Sequence, residues 1–166
     1  VSLAISRSSV GATATLIPEA VFLPLPESDT VQGVHKALEL ISPQVEKSKA
    51  IVVGPGLSRD ESAYALLAGL FGETSHAGFR SMGFGSQSIE PTAQQESALV
   101  GGETPTVVDA DALHWLSERE SWWDKVAPRS LILTPHVGEL AALSIRHADL
   151  IMEDPAAAVR DAALAW

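Results

Sequence analysis

Short apolar runs that end abruptly in polar residues restrict the fold of this sequence more than any other feature. Thr106–Val108 is followed by Asp109 and Asp111, and Leu131–Leu133 is followed by a more polar stretch, residues 134–139. Such runs between helical patterns are typical of strands buried on both faces of a parallel sheet. Ligands of open α/β sheets bind outside the carboxyl ends of the strands. The polar residues after the two runs are therefore predicted to face one crevice.

The remainder of the chain alternates strand and helix patterns. Residues 50–53 form the cleanest strand pattern, and Ser58 and Glu61 have the spacing of a capping box, which predicts a helix start there. Residues 20–26 contain two prolines, which confine this segment to an edge strand. Apolar residues spaced three and four apart between residues 31 and 45 predict another helix. This alternation favours an α/β fold with a parallel sheet and helices on both faces.

The length of 166 residues suits one domain with a substantial core. Residues 72–105 are dominated by Gly, Ser, Thr and Gln in their middle part, and a connection of that length without clear structure is uncommon in a compact domain. We predict a mobile insertion there. The sequence begins inside a strand pattern at Val1 and ends inside a helical pattern at Trp166, so truncation at both ends is expected.

The composition argues against several functional classes. A formal net charge of −10 and a pI near 4.8 argue against a nucleic-acid-binding surface, which shows clustered Lys and Arg. The absence of cysteine excludes disulfides, thiolate metal sites and a cysteine nucleophile, and the histidines show no metal-ligand spacing. No segment reaches the ~18 consecutive apolar residues of a membrane span. We therefore predict no nucleic-acid or membrane partner and a cytoplasmic location.

Asp109 and Asp111 lie on the same side of an extended backbone, because one residue separates them. Two such carboxylates can hold Mg2+ through water, accept hydrogen bonds from a ligand, or cap the next helix. Helix capping is the commonest reason for a residue such as Asp111. Asp109 is harder to explain structurally, because a carboxylate at the end of a buried strand needs a partner.

A glycine pair and a His-x-x-Glu pair are the other candidate site features. Gly54 and Gly56 supply permissive backbone where a strand turns into a helix, and they either only make that turn or help to present backbone N–H groups to a ligand. His136 and Glu139 stand at a predicted helix start, with Thr134 or His136 as the N-cap. The helix macrodipole explains Glu139 structurally. His136 has no comparable explanation, although a lone histidine is more often structural than functional.

Three motifs in this sequence resemble, in their order, those of one enzyme family. They are Gly-Pro-Gly-Leu at residues 54–57, Asp-Ala-Asp-Ala-Leu at residues 109–113 and Thr-Pro-His-Val-Gly-Glu at residues 134–139. The family is that of the ADP/ATP-dependent NAD(P)H-hydrate dehydratases, the YjeF C-terminal, carbohydrate-kinase-related branch of the ribokinase-like fold. Pro18 and Glu19 also resemble its Pro-Glu strand start. Because the resemblance covers nearly everything except residues 72–105, it implies that residues 1–166 are the central part of one ribokinase-like domain.

The resemblance implies a repair enzyme of nicotinamide nucleotides. Such an enzyme uses ADP or ATP, with Mg2+, to phosphorylate the hydroxyl of the hydrated nicotinamide ring, and loss of phosphate then restores NADH or NADPH from NADHX or NADPHX. Carried over by motif, the substrate-binding residues are Gly54, Gly56 and His136, and the residues that support phosphate and Mg2+ through water are Asp109, Asp111 and Glu139. No direct metal ligand is implied. A homo-oligomer and a fused or separate NAD(P)HX epimerase are also expected.

The chain departs from the family pattern in several places. Ser58 replaces Gly, Val137 replaces Pro, and His114 replaces Asn. The family's Lys-Gly-x-x-Thr nucleotide loop and its Gly-Thr-Gly-Asp motif, whose Asp is the catalytic base, do not occur in this sequence. The catalytic Asp is therefore expected C-terminal to Trp166, and this fragment alone is expected to be inactive. Two other hypotheses stay open: a ribokinase-like kinase of a vitamin-precursor alcohol, and a non-catalytic nucleotide-binding paralogue.

Overall fold

The computed structural model of the chain describes residues 1–26, 31–73 and 98–166 and has a mixed α/β fold with two small parallel sheets. The strands are β1 (Ser2–Ser6), β2 (Val21–Leu25), β3 (Ile51–Val53), β4 (Thr106–Val108) and β5 (Leu131–Leu133). The α-helices are α1 (Val10–Leu16), α2 (Val31–Val45), α3 (Glu61–Leu70), α4 (Asp111–Ser117), α5 (Val137–Ser144), α6 (Ala148–Glu153) and α7 (Pro155–Ala165). Short 3-10 helices occupy Arg7–Ser9 and Trp122–Lys125. The predicted alternation of strands and helices is confirmed.

Parallel pairing brings the carboxyl ends of neighbouring strands together. β1 pairs with β2, and the other sheet has the order β3-β4-β5. Val53, Val108 and Leu133 are in register at the end of that second sheet. The backbone N–H of Asp109 then donates to the carbonyl oxygen of Val53 at 3.0 Å. The polar residues that follow these strands therefore start from one edge, as predicted.

Only one face of the sheet β3-β4-β5 is covered by the described residues. Val108 is fully buried, whereas Val52 and Ile132, which point to the opposite face, are 67% and 61% exposed. The expectation of strands buried on both faces is wrong for this part of the chain. The physical reason is that the covered face packs within the hydrophobic cluster that contains residues of α3 and α4, while nothing in the described ranges covers Val52 and Ile132.

The core lies between the covered face of this sheet and helices α2, α3 and α4. Its largest fully buried side chains are Trp115, Leu67, Leu113, Leu116, Val100, Val108 and Thr106, with Ile151 in a second cluster. The Trp115 ring stacks on Phe71 with ring centroids 5.0 Å apart, and the guanidinium carbon of Arg119 lies 3.5 Å from the Trp115 ring centroid. Val100 belongs to this core and donates its backbone N–H to Leu70. Residues 74–97, most of the predicted insertion, lie outside the described residues.

Helix α3 has a different N-cap from the predicted one. Its N-cap is Asp60, whose carboxylate accepts the backbone N–H of Ala63 at 2.9 Å. The Ser58 hydroxyl instead makes a hydrogen bond to Asp60, so the predicted capping box of Ser58 and Glu61 is wrong. Aspartate is among the best N-cap residues, and here it stands directly before the first helical residue.

The last helices pack through a second, smaller cluster. Leu140, Ile151, Ala158 and Ala162 are buried there, and Trp166 packs against both this cluster and the main core. Trp166 lies 5.4 Å from Trp122 and 6.3 Å from Trp123, and the latter two are 5.7 Å apart between ring centroids. The described helices include none with both the length and the apolar composition needed to cross a membrane.

Candidate functional site

A small pocket of about 160 Å3 lies at the carboxyl edge of the sheet β3-β4-β5. Its lining residues are Arg59, Leu113, His114, Ser117, His136, Gly138, Glu139 and Ala142. Arg59 comes from the loop after β3, three lining residues come from α4, and the remainder come from α5 and its N-cap. The pocket, called the His136 pocket below, therefore joins segments that follow all three strands.

His136 is the N-cap of α5. Its Nδ1 accepts the backbone N–H of Gly138 at 3.0 Å and that of Glu139 at 3.3 Å. The Glu139 carboxylate accepts the backbone N–H of His136 at 2.9 Å, which completes a capping box. One of the two predicted N-caps is thus confirmed. The expectation that His136 lacks a structural explanation is wrong, because its imidazole satisfies helix-terminal N–H groups.

This cap also fixes the chemical state in which His136 faces the pocket. A nitrogen that accepts hydrogen bonds carries a lone pair, so the proton of the neutral ring is on Nε2. Nε2 lies 3.4 Å from a Glu139 carboxylate oxygen, and the His136 side chain is 72% exposed. His136 therefore offers an N–H donor to a ligand oxygen, and the two backbone N–H groups bound to Nδ1 fix the orientation of the ring.

Asp111 connects α4 to the loop after β3. One carboxylate oxygen accepts the backbone N–H of Ser58 at 3.0 Å, and the other accepts Nε of Arg59 at 3.1 Å. Asp111 is the first residue of α4, and the residue at the N-cap position is Ala110. The expectation that Asp111 caps this helix is wrong, because its side chain reaches residues more than fifty positions away instead. It thereby positions Arg59, which lines the His136 pocket.

Gly54 and Asp109 form the closest contact at this edge. Gly54 has a φ of +125°, and a Cβ added there would lie 1.7 Å from the carbonyl oxygen of Asp109. Only glycine fits that position. The Asp109 carboxylate accepts the backbone N–H of Ala110 at 2.9 Å, which is the partner that a carboxylate at a strand end requires.

Gly56 occupies a more open part of the same loop. Its φ is +74°, and no atom lies within 4 Å of a Cβ built there. The backbone at Gly56 is thus accessible to a ligand, although Gly56 is not among the residues that line the His136 pocket. Gly54, Asp109 and Asp111 do not line the His136 pocket either.

A second acid–base group borders the pocket on α4. His114 Nε2 lies 3.3 Å from a Glu118 carboxylate oxygen, which also accepts the hydroxyl of Tyr64 at 3.3 Å. Burial and, after it, the charge of Glu118 raise the pKa of Tyr64 above its ordinary value. Tyr64 therefore stays a neutral donor to Glu118 at physiological pH.

Asp60 is the carboxyl group with the strongest shift near the pocket. Hydrogen bonds from the Ser58 hydroxyl, the Ala63 backbone N–H and the Ser62 hydroxyl lower the pKa of Asp60 from 3.8 to about 2. All of these donors favour the ionised form. Asp60 is thus a permanent negative charge beside Arg59.

The carboxylates at this edge do not form a direct Mg2+ site. No group of three or more His, Asp and Glu side chains within the described part of the chain could hold a metal ion. Both carboxylate oxygens of Asp111 accept hydrogen bonds, from Ser58 and Arg59, and the Glu139 carboxylate accepts one from the backbone N–H of His136. Divalent magnesium requires several oxygen ligands in near-octahedral geometry. No chemical step is therefore assigned to the ion here.

Sequence patterns identified only His136 and Glu139 among the lining residues, and the polar lining residues Arg59, His114 and Ser117 were missed. Arg59 follows the predicted glycine turn and lies two residues before Glu61, at the predicted start of a helix. This position beside a candidate ligand-binding turn is the sequence signal that could have identified it. His114 and Ser117 are three residues apart on α4, so they lie on one face of that helix and line the pocket together with residues of α5. Their role in the pocket depends on the packing of α4 on α5, which the local pattern does not contain.

The fold and the site define an α/β protein with a polar pocket at the carboxyl edge of a parallel sheet. Among solved structures, the hypothetic protein SMU.573 from Streptococcus mutans is similar, with a TM-score of 0.63 and 20% sequence identity. The match covers 99% of this chain and 44% of that protein. The chain therefore shares the fold of the matched part and spans less than half of that protein.

Two curated proteins are distantly similar in sequence, and both are bifunctional NAD(P)H-hydrate repair enzymes Nnr. The protein of Thermanaerovibrio acidaminovorans is 27% identical over 129 residues, which are 77% of this chain and 19% of that protein. The protein of Moorella thermoacetica is 28% identical over 155 residues, which are 93% of this chain and 24% of that protein. The chain thus spans a quarter or less of these relatives. No protein-family model matches the chain.

Proposed function

We propose that this chain is part of an NAD(P)H-hydrate dehydratase of ribokinase-like fold, and that the His136 pocket binds the hydrated nicotinamide ring of the dinucleotide. One observation carries the proposal: two of the three motifs supply lining residues of one pocket, Leu113 from the second and His136 from the third. Arg59, two residues after the first motif, also lines this pocket, and Asp111 of the second motif holds it in place. The distant similarity to NAD(P)H-hydrate repair enzymes points to the same activity.

The chemistry of the pocket suits the hydrated nicotinamide ring. That ring is uncharged and carries a hydroxyl group and a carboxamide, both of which require hydrogen-bonding partners when they leave water. His136 supplies an N–H donor from Nε2, held in position by its cap. The open space over Gly56 allows a ligand to approach the backbone closely. We propose these two residues as substrate contacts and Gly54 as the residue that shapes their loop.

The remaining parts of the reaction rest on the motif resemblance. We propose ADP or ATP as the phosphoryl donor, with Mg2+ as its counter-ion and Glu139 supporting the phosphate region through water. The Gly-Thr-Gly-Asp motif with its catalytic Asp does not occur in residues 1–166, and we propose that turnover requires a protein that also carries this motif. These residues supply binding and orientation of the substrate.

The test is nucleotide-dependent recovery of NADH from NADHX by the full-length protein, followed by absorbance. We expect recovery with ADP or ATP, and none without a nucleotide. His136→Ala should raise KM for NADHX by about tenfold and change KM for the nucleotide little, because a lost hydrogen bond to a ligand costs about that much. His147→Ala is the matched control, since His147 caps α6 without a side-chain hydrogen bond and does not line the pocket.

Three outcomes separate the hypotheses. Absence of nucleotide-dependent recovery by the wild-type protein would exclude the dehydratase. Accumulation of a phosphorylated product without NADH would support the small-molecule kinase instead. Equal increases in KM for NADHX and for the nucleotide in His136→Ala would contradict the role assigned to that residue.

A further inference from the structure

A second pocket lies at the carboxyl edge of the two-stranded sheet. Its lining residues are Arg7, Ser8, Pro26, Lys36 and Leu40, and we call it the Arg7 pocket. Arg7 directly follows β1, and Pro26 directly follows β2. Because Ser6 and Leu25 are in register at the ends of these parallel strands, both residues stand at the same edge. This is the position at which open α/β sheets bind ligands.

The described lining residues of the Arg7 pocket carry a charge opposite to that of the whole chain. Two of its lining residues, Arg7 and Lys36, are cations, and none of its described lining residues is acidic. Within residues 1–26, 31–73 and 98–166, neither cation forms an ion pair. The chain as a whole carries a formal charge of −10. The charged side chains among the described lining residues are therefore both positive, which favours an anionic ligand.

The His136 pocket and the Arg7 pocket differ in charge and in volume. There, Arg59 is paired with Asp111, and Glu139 lines the wall. The Arg7 pocket has a volume of about 440 Å3, compared with about 160 Å3 for the His136 pocket. The larger value lies within the range of small-molecule sites. The Arg7 pocket therefore combines the space and the charge for an anionic small molecule.

The donor types indicate which anion. A guanidinium group donates parallel hydrogen bonds to two phosphate oxygens, and a lysine ammonium group binds phosphate as a point charge. The Ser8 hydroxyl, 2.6 Å from the hydroxyl of Ser6, adds a neutral polar group at the same wall. Pro26 and Leu40 provide apolar surface for the rest of a ligand.

We propose that the Arg7 pocket binds the phosphate or diphosphate group of a small molecule, with Arg7 and Lys36 as its binding residues. The proposal does not depend on the dehydratase assignment, because it rests on a different sheet edge and different residues. Phosphate groups can come from the free anion or from a nucleotide, and the experiment distinguishes these sources.

The experiment is calorimetric titration of the protein with pyrophosphate, inorganic phosphate, ADP and adenosine. We expect the three phosphate-containing probes to bind and adenosine not to bind. Arg7→Ala and Lys36→Ala should each weaken pyrophosphate binding by about tenfold, because each removes a charged partner, and the double variant should abolish it. Both residues are exposed, so the thermal unfolding midpoint should stay unchanged.

Arg160→Ala is the matched control, since Arg160 is an exposed cation of α7 outside the Arg7 pocket. It should change the pyrophosphate Kd by less than about twofold, because distant surface charges are screened. Tighter binding of ADP than of pyrophosphate, lost in the double variant, would identify a nucleotide as the ligand of the Arg7 pocket, and equal binding would identify the diphosphate group alone. Undiminished affinity in the double variant, an equal loss in Arg160→Ala, or no binding of any phosphate probe would overturn the proposal. None of these results depends on NADHX turnover.

Discussion

The polar residues after β4 and those after β5 stand at the same sheet edge but differ in the range of their hydrogen bonds. Asp111 binds Ser58 and Arg59, which are 53 and 52 positions away in the sequence. His136 and Glu139 bind each other and their own helix start, within three positions. The edge at β4 therefore requires the assembled fold, whereas the edge at β5 is determined by local sequence.

This difference in hydrogen-bond range affects how firmly each side chain is held in the His136 pocket. A locally capped His136 keeps its orientation and tautomer even when neighbouring segments shift, because its partners move with it. Asp111 holds Arg59 in place. The location of Arg59 in the His136 pocket therefore depends on the distance between the loop after β3 and the start of α4. Substitutions after β4 and substitutions after β5 should therefore change stability and ligand binding in different ways.

The largest expected effect is at the contact between Gly54 and Asp109. Gly54→Ala places a Cβ 1.7 Å from the Asp109 carbonyl oxygen, so β3 and β4 must separate at this edge. We expect a loss of unfolding free energy of about 3 kcal/mol or more, measured by urea denaturation. Gly56→Ala is the control, and its positive φ without any close atom should cost about 1–2 kcal/mol. Equal losses of unfolding free energy in the two variants would show that the positive φ, and not the contact with Asp109, determines the cost of the substitution.

Removing the long-range carboxylate should have a smaller effect. Asp111→Ala leaves the Ser58 backbone N–H and Arg59 without their partner, and the cost is about 1–2 kcal/mol because the site is partly exposed. Asp161→Ala breaks the exposed pair with Arg146 and should cost less than about 0.5 kcal/mol. Urea midpoints compare the two. If both variants lose the same stability, Asp111 does not hold the two segments together.

The local cap offers a way to separate stability from binding. His136→Ala should cost about 1 kcal/mol, as other N-cap deletions do. His136→Asn restores a cap acceptor but lacks the Nε2–H donor, so it should recover stability without recovering NADHX binding. Thermal midpoints and KM values measure the two quantities. Recovery of both in His136→Asn would contradict the donor role.

The smallest expected effect is the pH dependence from Asp60, another local cap. Its folded pKa of about 2 lies below its ordinary value of 3.8, so its contribution to stability is complete above pH 3.8 and is lost as pH falls through 2. Asp60→Asn removes this titration while keeping an acceptor for Ala63. Urea midpoints between pH 5 and about pH 2 should fall less steeply in the variant. The difference should be small, because Asp60 is exposed. Identical slopes would show that Asp60 does not contribute.

The strands and the shared edge could be predicted from sequence, because short apolar runs report directly on burial and on strand ends. The N-cap position of His136 was also within reach, as one of two candidates. The sequence did not reveal the tautomer of His136, because the imidazole accepts these hydrogen bonds only when Nδ1 carries no proton. A sequence pattern does not show that state.

The long-range role of Asp111 was not predictable in the same way. An aspartate at a helix start normally caps that helix, but Ala110 has a φ of +48° and takes the N-cap position, so the Asp111 side chain is free to reach the other loop. The contact with Ser58 and Arg59 needs the register of β3 and β4, and no local pattern contains that register. The exposed side chains of Val52 and Ile132 were not foreseen either, because an apolar run does not show whether other elements cover both faces of its strand.

The cluster of Trp122, Trp123 and Trp166 makes the packing of α7 optically visible. The three indoles lie within 5.4 to 6.3 Å of one another between ring centroids, close enough for their excited states to couple. The fourth tryptophan, Trp115, stands apart against Phe71. Near-ultraviolet circular dichroism and intrinsic fluorescence can therefore follow α7 leaving the core without any added label, and a Trp166→Phe variant would remove that signal selectively.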